Sequence, residues 1–317
     1  MRIVFMGTPS FAASILIELM QQHEVVAVYT RADAVRGRGK QLVASPVKEV
    51  ALSAGIPTYE PASLKNADEL QRLRELAPDA ICVAAYGKIL PQEVLDVPRF
   101  GCFNVHASLL PKYRGAAPIE RAILNGDDEA GVCIMRMEAG LDTGDYCISR
   151  SVQIQGLNAE FLTGELADKG ACALLSALYD AQEGHVRWTQ QDESQASWAP
   201  KIEKGELNCH PCDSAALNVR RVLASSEAHP SKCVVCGKTV TLLETREVTP
   251  DDAHSESLAD LEAGQVRYSA KRLILGCAEG SFEVLRIKPD GKAEMQAQAF
   301  ASGIQNIKNG NFTWESK

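Results

Sequence analysis

The first half of the chain alternates between two hydrophobic periods. Arg2–Met6 is a short apolar run that stops at Gly7, and from Phe11 to Gln22 apolar residues recur at helical spacing. Val25–Tyr29 is a second, β-branched run. Val47–Ala54 reads as a helix closed by Gly55, and Leu64–Leu76 as a helix with Pro78-Asp79 behind it. Ala80–Ala85 and Cys102–His106 read as strands, Ile119–Leu124 as a helix, and Gly131–Met137 and Tyr146–Ile154 as further strands. Glu160–Gln182 is a long helical stretch ending at Gly184. Strands alternating with helices predict βαβ units and an α/β domain on a mostly parallel sheet.

The pattern then changes. Trp188–Lys201 is polar and aperiodic, which predicts a linker running over the surface. Asp213–Ala224 reads as a helix. After it come short apolar runs between turn signals: Cys233–Cys236, Val240–Glu244, Leu273–Cys277, Phe282–Ile287 and Glu294–Phe300. Strands this short and this closely spaced predict a small barrel or sandwich. The expected division is residues 1–188, a linker at 189–206, and a second domain at 207–317.

Length and composition agree with two ordinary globular domains. The chain has 317 residues, 45% of them hydrophobic and 23% charged. The net charge of −8 argues against a polybasic nucleic-acid binder, but it leaves room for a local basic patch. Residues 207–317 carry 13 Lys+Arg against 14 Asp+Glu, so almost all of the excess acid lies in the first part. No apolar run is long enough to span a bilayer, so no membrane association is expected. A strand starting at Arg2 leaves no space for a leader, and a cytoplasmic location is expected. The ten cysteines then read as reduced thiols rather than a disulfide framework.

Candidate chemistry is densest between Phe103 and Gly144. Asn104 and His106 are one residue apart on a predicted strand, so their side chains share a face at its C-terminal end, where open α/β sheets bind ligands. An imidazole can move protons near neutral pH, and an amide can donate to an oxyanion. Spacing alone better fits a core histidine bonded by a neighbouring asparagine. A Pro- and Gly-punctuated loop, Ser108-Leu-Leu-Pro-Lys-Tyr-Arg-Gly-Ala-Ala-Pro118, follows at once. Later Gly140-Leu-Asp-Thr-Gly144 presents one carboxylate in a tight turn. Asp142 there can fix and charge a nearby histidine, or simply accept a turn hydrogen bond.

Asn104-x-His106, Ser108–Ile119 and the Leu141–Asp145 segment (LDTGD) resemble the 10-formyltetrahydrofolate-dependent formyltransferases. Met6-Gly-Thr-Pro-Ser-Phe-Ala12, Gly37-Arg-Gly-Lys40 leading into Ser45-Pro-Val-Lys48, and Trp198-Ala-Pro-Lys-Ile202 are similar to the branch of that family that formylates methionyl-tRNA. The resemblance is strong from Met1 to about Lys204 and weaker beyond, where Lys288–Met295 still resembles a closing strand pair. It implies a Rossmann-like formyltransferase domain followed by a smaller, OB-like tRNA-binding barrel. It implies formyl transfer from 10-formyltetrahydrofolate to the α-amine of initiator methionyl-tRNA by a bacterial, monomeric enzyme. Asn104, His106 and Asp142 would be catalytic, and Ser108, Leu109, Leu110 and Pro111 would lie along the folate. The alternatives are a ribonucleotide or sugar-nucleotide acceptor, or a non-catalytic zinc-ribbon or OB nucleic-acid-binding protein.

Arg36, Arg38 and Lys40, interleaved with glycine, are the candidate clamp on tRNA phosphates, although most short charge runs are solvated turns. Ala32-Asp33-Ala34-Val35 replaces the family's proline-flanked aspartate there. In the second domain Arg220, Arg221, Lys271 and Arg272 are candidate phosphate contacts. Two Cys-x2-Cys pairs, Cys209/Cys212 and Cys233/Cys236, have zinc-ribbon spacing that the family lacks. A regular strand at Val234-Val235 would hold its two thiols too far apart for one ion, so no metal is expected.

Overall fold

A computed structural model describes residues 1–36, 41–249, 261–307 and 311–317. The chain divides into two compact units: Met1–Ile119, Asp128–Ile154 and Phe161–Pro200 form the first, and Glu120–Asp127, Gln155–Glu160 and Lys201–Lys317 the second.

The first unit begins with β1 (Arg2–Gly7), α1 (Ser10–Gln22), β2 (Glu24–Tyr29), and a short antiparallel pair, β3 (Ala34–Arg36) with β4 (Gln41–Val43). The chain continues through α2 (Pro46–Ser53), β5 (Thr58–Tyr59), α3 (Ala67–Leu76), β6 (Ala80–Ala84), α4 (Gln92–Leu95) and β7 (Cys102–His106). Then come β8 (Arg114–Gly115), α5 (Pro118–Asn125, which from Glu120 onward belongs to the second unit), β9 (Glu129–Arg136), β10 (Tyr146–Gln153), α6 (Ala159–Glu183) and β11 (Trp198–Ala199). The central sheet has the order β10-β9-β7-β6-β1-β2-β5. Its five strands from β7 to β5 are parallel, β9 pairs antiparallel with β7, and β10 pairs antiparallel with β9 at the edge.

Alternation along the buried strands sorts side chains to two faces. Val4, Met6, Ile81, Val83 and Cys102 pack with Leu73 of α3 and Val94 and Leu95 of α4. On the other face Gly170 of α6 lies against Val105, Val132 and Ile15, close enough that a side chain there would collide with Val105. Helix α2 begins as its sequence dictates: Ser45 accepts from the Lys48 amide at 3.1 Å, and Pro46 occupies the first turn, where no donor is needed. The same Ser45 hydroxyl meets buried Thr30 at 2.7 Å. Part of the Ser45–Lys48 motif is therefore a helix start.

The second unit contains α7 (Ala215–Leu223), β12 (Lys232–Val235), β13 (Lys238–Glu247), β14 (Gln265–Ser269), β15 (Arg272–Gly276), β16 (Ser281–Pro289), β17 (Met295–Gln296), α8 (Ala297–Ser302) and β18 (Phe312–Glu315). Strands β13-β12-β18-β14-β15-β16 are joined in order, and β13 pairs back onto β16, closing a six-stranded antiparallel barrel. Trp314 anchors its interior: the indole N–H donates to the Gly276 carbonyl at 2.8 Å, and its ring meets Phe282 edge-on.

The expected strand at Glu294–Phe300 is corrected. Only Met295–Gln296 is extended, and a helix follows. Ala297, Phe300 and Ala301 are its buried residues, a helical spacing in a segment of strong helix formers.

Candidate active site

Strand β7 ends at the C-terminal edge of the five parallel strands, and Asn104 and His106 stand there on the face that carries Cys102. Both are buried. No hydrogen bond from the described residues engages the Asn104 amide. His106 has a neighbour at each ring nitrogen. Nε2 lies 3.0 Å from the Tyr113 carbonyl, and Nδ1 lies 3.7 Å from Asp142 Oδ2. A carbonyl can only accept, so Nε2 carries the proton and Nδ1 is the basic nitrogen of the neutral ring. At 3.7 Å the Asp142 carboxylate is beyond hydrogen-bond length, yet it is near enough to stabilise an imidazolium.

Asp142 is itself held in an unusual conformation. Its φ is 54°, in the left-handed region that non-glycine residues rarely occupy. Its Oδ2 accepts from the Gly115 amide at 2.9 Å. Gly115 is obligatory there: its φ is 125°, and an added Cβ would come within 2.7 Å of the Ala199 carbonyl oxygen.

The loop between Ser108 and Pro118 is tightly packed. The buried Ser108 hydroxyl donates to the Lys112 carbonyl at 2.6 Å. Leu110 is buried with Cys133 and Met135, and burial pushes the Cys133 thiol up to about 12, so it stays neutral. Leu109 packs over Gly131. Contact of this segment with a ligand therefore falls to the half-buried Leu109 and Pro111 and to backbone. Two large apolar side chains in neighbouring loops of the sheet are exposed: Leu141, next to Asp142, and Ile89, in the loop after β6, are 58% and 86% exposed.

The polar stretch after Trp188, expected to be a surface linker, is built into this site. Trp188 packs on Phe103 and lies under the Arg136 guanidinium, 4.4 Å from the ring centre. Thr189 exchanges backbone hydrogen bonds with Tyr146, and β11 pairs in parallel with β8. The Ser197 hydroxyl accepts from the Tyr113 amide at 2.9 Å. Gln191 is buried, and its Nε2 donates to the carbonyls of Asp142 at 2.9 Å and Gly144 at 2.6 Å. Its Oε1 accepts from Nε and Nη2 of buried Arg114, whose remaining donors meet Glu193. Those bonds hold the Glu193 carboxyl below its ordinary range. Most of the stretch is exposed, as its polarity suggested, but Gln191 is buried with both of its amide atoms bonded. Arg114 and Gln191 carry no motif; only the arginine in a Pro- and Gly-rich loop hinted at a buried charge.

Of the candidate tRNA contacts, Arg38 and Lys40 lie outside the described residues, and Arg36 is described only as backbone in β3. The base of that segment is anchored: Lys48 pairs with Asp33 at 2.8 Å and Glu60 at 2.6 Å, and both bonds hold its ammonium charged to higher pH. In the second unit Arg221 pairs with Asp213 and Arg272 with Glu283. Lys271 is exposed in the β14–β15 turn.

The Cys-x2-Cys pairs do different work from that suggested by their spacing. Cys209 and Cys233 are barrel-core residues, and Cys209 Sγ lies 3.2 Å from the Ser231 hydroxyl. Burial raises both thiols, Cys209 to about 11. Cys236 and Gly237 form the two-residue turn between β12 and β13, both at positive φ. Cys212 is exposed. Among the described residues no three His, Cys, Asp or Glu side chains converge as metal ligands.

Comparison with known proteins follows this geometry. Residues 1–178 match the Formyl transferase family and residues 212–305 the Formyl transferase, C-terminal domain family. The chain is 41% identical over 315 residues to the methionyl-tRNA formyltransferase of Caldanaerobacter subterraneus subsp. tengcongensis, covering 98% of this chain and 99% of that one. It is 42% identical over 306 residues to that of Thiobacillus denitrificans, covering 96% of each. Among solved structures, HypX from Aquifex aeolicus in complex with tetrahydrofolic acid superposes with a TM-score of 0.65 at 18% identity, over 98% of this chain and 48% of that one. The sugar 3N-formyl transferase WlaRD superposes with a TM-score of 0.64 at 15% identity, over 92% and 99%. These two likenesses are of fold.

Proposed function

This chain belongs to the formyl transferase family, and from that premise we propose that it transfers the formyl group of 10-formyltetrahydrofolate to the α-amine of initiator methionyl-tRNA. The observation that carries the choice of acceptor is the similarity along the whole chain, second unit included, to methionyl-tRNA formyltransferases. The likeness to the sugar 3N-formyl transferase, at 15% identity, is of fold alone and does not bear on the acceptor.

The reaction moves an acyl group between nitrogens. The acceptor amine attacks the formyl carbon, negative charge grows on the formyl oxygen, and N10 leaves with a proton. Asn104 supports oxyanion stabilisation, because its buried amide is not committed to another described residue. His106 supports proton transfer: Nε2 is tied to Tyr113, leaving Nδ1 to take the proton from the attacking amine and return it to the leaving nitrogen. Asp142 favours the charged ring between those two events. The apolar side chains of Leu141 and Ile89, with Leu109 and Pro111, would serve a pterin ring; the Ser108 hydroxyl would act through the loop it ties to Lys112. Arg36, Arg38 and Lys40 would hold acceptor-stem phosphates.

The test is transfer of label. With formyl-labelled donor and charged initiator tRNA, label is expected in the aminoacyl group of the tRNA. Label that stays with folate or passes to water contradicts the reading.

A further inference from the structure

The Asp142 turn is held from a segment far from it in sequence. Asp142 and Gly144 aim their carbonyls at one buried side-chain amide, that of Gln191. An amide can be flipped, but this one has a single workable orientation. Its Oε1 faces two N–H groups of Arg114, at 3.0 and 2.8 Å, so Nε2 must face the carbonyls. Arg114 is fixed in turn by two bonds to Glu193, at 2.9 and 2.7 Å. The turn needs such a clamp. Asp142 sits at φ 54°, a conformation that persists only when its surroundings over-determine it. The Asp142 carboxylate then reaches both the Gly115 amide and His106.

We propose that Gln191, oriented by Arg114, is a positioning residue for the formyl-transfer reaction: its two donated hydrogen bonds hold the Asp142 turn so that the carboxylate faces His106. This rests on the proposed activity, and the experiment separates the two. The variant is Gln191→Glu, which keeps the shape and strengthens the link to Arg114 but replaces the donor by an acceptor facing two carbonyls.

The first readout does not depend on activity. Backbone hydrogen exchange is measured at Gly115, whose amide is bonded to the Asp142 carboxylate, and at Arg114 and Ala116, whose amides are bonded to the Ser197 and Ala199 carbonyls at 2.8 and 2.9 Å. In the variant Gly115 is expected to exchange at least about tenfold faster, while Arg114 and Ala116 keep their protection. Unchanged exchange at Gly115, or equal loss at all three, overturns the inference. The second readout is kinetic. If the wild-type protein formylates methionyl-tRNA, Gln191→Glu is expected to lower kcat at least about tenfold with KM for both substrates changed by less than threefold. It is expected to have no further effect in an Asp142→Asn background, because Gln191 acts through Asp142. Full kcat in the variant, or an additive loss in the double variant, overturns the inference. An inactive wild type would instead refute the proposed activity and leave the exchange result to decide this one.

Discussion

At the scale of single residues, the proposed function rests on a histidine whose two nitrogens face separate groups. Removing the ring is expected to cost far more than weakening its surroundings. His106→Ala should lower kcat for formyl transfer by about 10²–10⁴-fold, the range for a lost general acid–base. Asn104→Ala should lower it by about 10²–10³-fold, as for a lost oxyanion donor. Steady-state kinetics checks both, and a loss below about tenfold in either variant removes that residue from the mechanism. The pairing of Asn104 with His106 on one face of β7 was legible from strand period, while their proposed roles and that of Asp142 came with the resemblance. Gln191 and Arg114 were not legible. A buried polar residue satisfied by distant partners has the same local sequence as a solvated one, and Gln191 lies 49 residues from the carbonyl it holds at Asp142.

At the scale of elements, local rules carried most of the fold. Strands β1, β2, β6 and β7 were readable because each is a compact apolar run, and α2 and α3 carry caps at Ser45 and Asn66; the short β3, β4, β5 and α4 left no such mark. Two barrel strands were not readable either. In β14 (QVRYS) and β18 (FTWE) inward and outward residues alternate over too few positions to stand out. The long β13, by contrast, was visible in its apolar centre. The β8–β11 pairing depends on Gly115, so Gly115→Ala is expected to be costly: the new methyl meets the Ala199 oxygen at 2.7 Å in a backbone conformation alanine avoids. A lower thermal midpoint together with faster exchange at the Arg114 amide is the expected result. Ser45→Ala should lower stability by about 1 kcal/mol, the usual cost of a lost cap, measured by denaturant unfolding. For the hairpin β12–β13, chelation is the informative perturbation. With Cys233 in the core and Cys236 in the turn, prolonged treatment with a strong chelator is expected to leave the unfolding midpoint unchanged. A fall of several degrees would instead reveal a structural metal.

At the scale of the whole molecule, charge is the quantity the sequence left hardest to interpret. A net charge of −8 sits poorly with a polyanionic substrate unless the cations are local. Two of the four candidates in the second unit are already engaged, Arg221 by Asp213 and Arg272 by Glu283. That shifts weight to the glycine-spaced Arg36–Lys40 segment. Replacing Arg38 and Lys40 together by Ala is expected to raise KM for tRNA, leave KM for the folate unchanged, and flatten the salt dependence of tRNA binding by about two phosphate contacts. Equal effects on both substrates would assign the segment to the fold instead. The acceptor was readable only through the resemblance of Met6–Ala12, Gly37–Lys40 and Trp198–Ile202, since the proposed chemistry of Asn104, His106 and Asp142 serves any amine, and likeness along the full chain to methionyl-tRNA formyltransferases supports it.

The central claim is therefore the acceptor, and a competition assay tests it most directly. Purified protein is given 10-formyltetrahydrofolate with methionyl-initiator tRNA and glycinamide ribonucleotide together, and the formylated products are separated. The expected result is formylmethionyl-tRNA as the sole formylated product, lost in His106→Ala. Formylation of glycinamide ribonucleotide, or of neither acceptor, would contradict it.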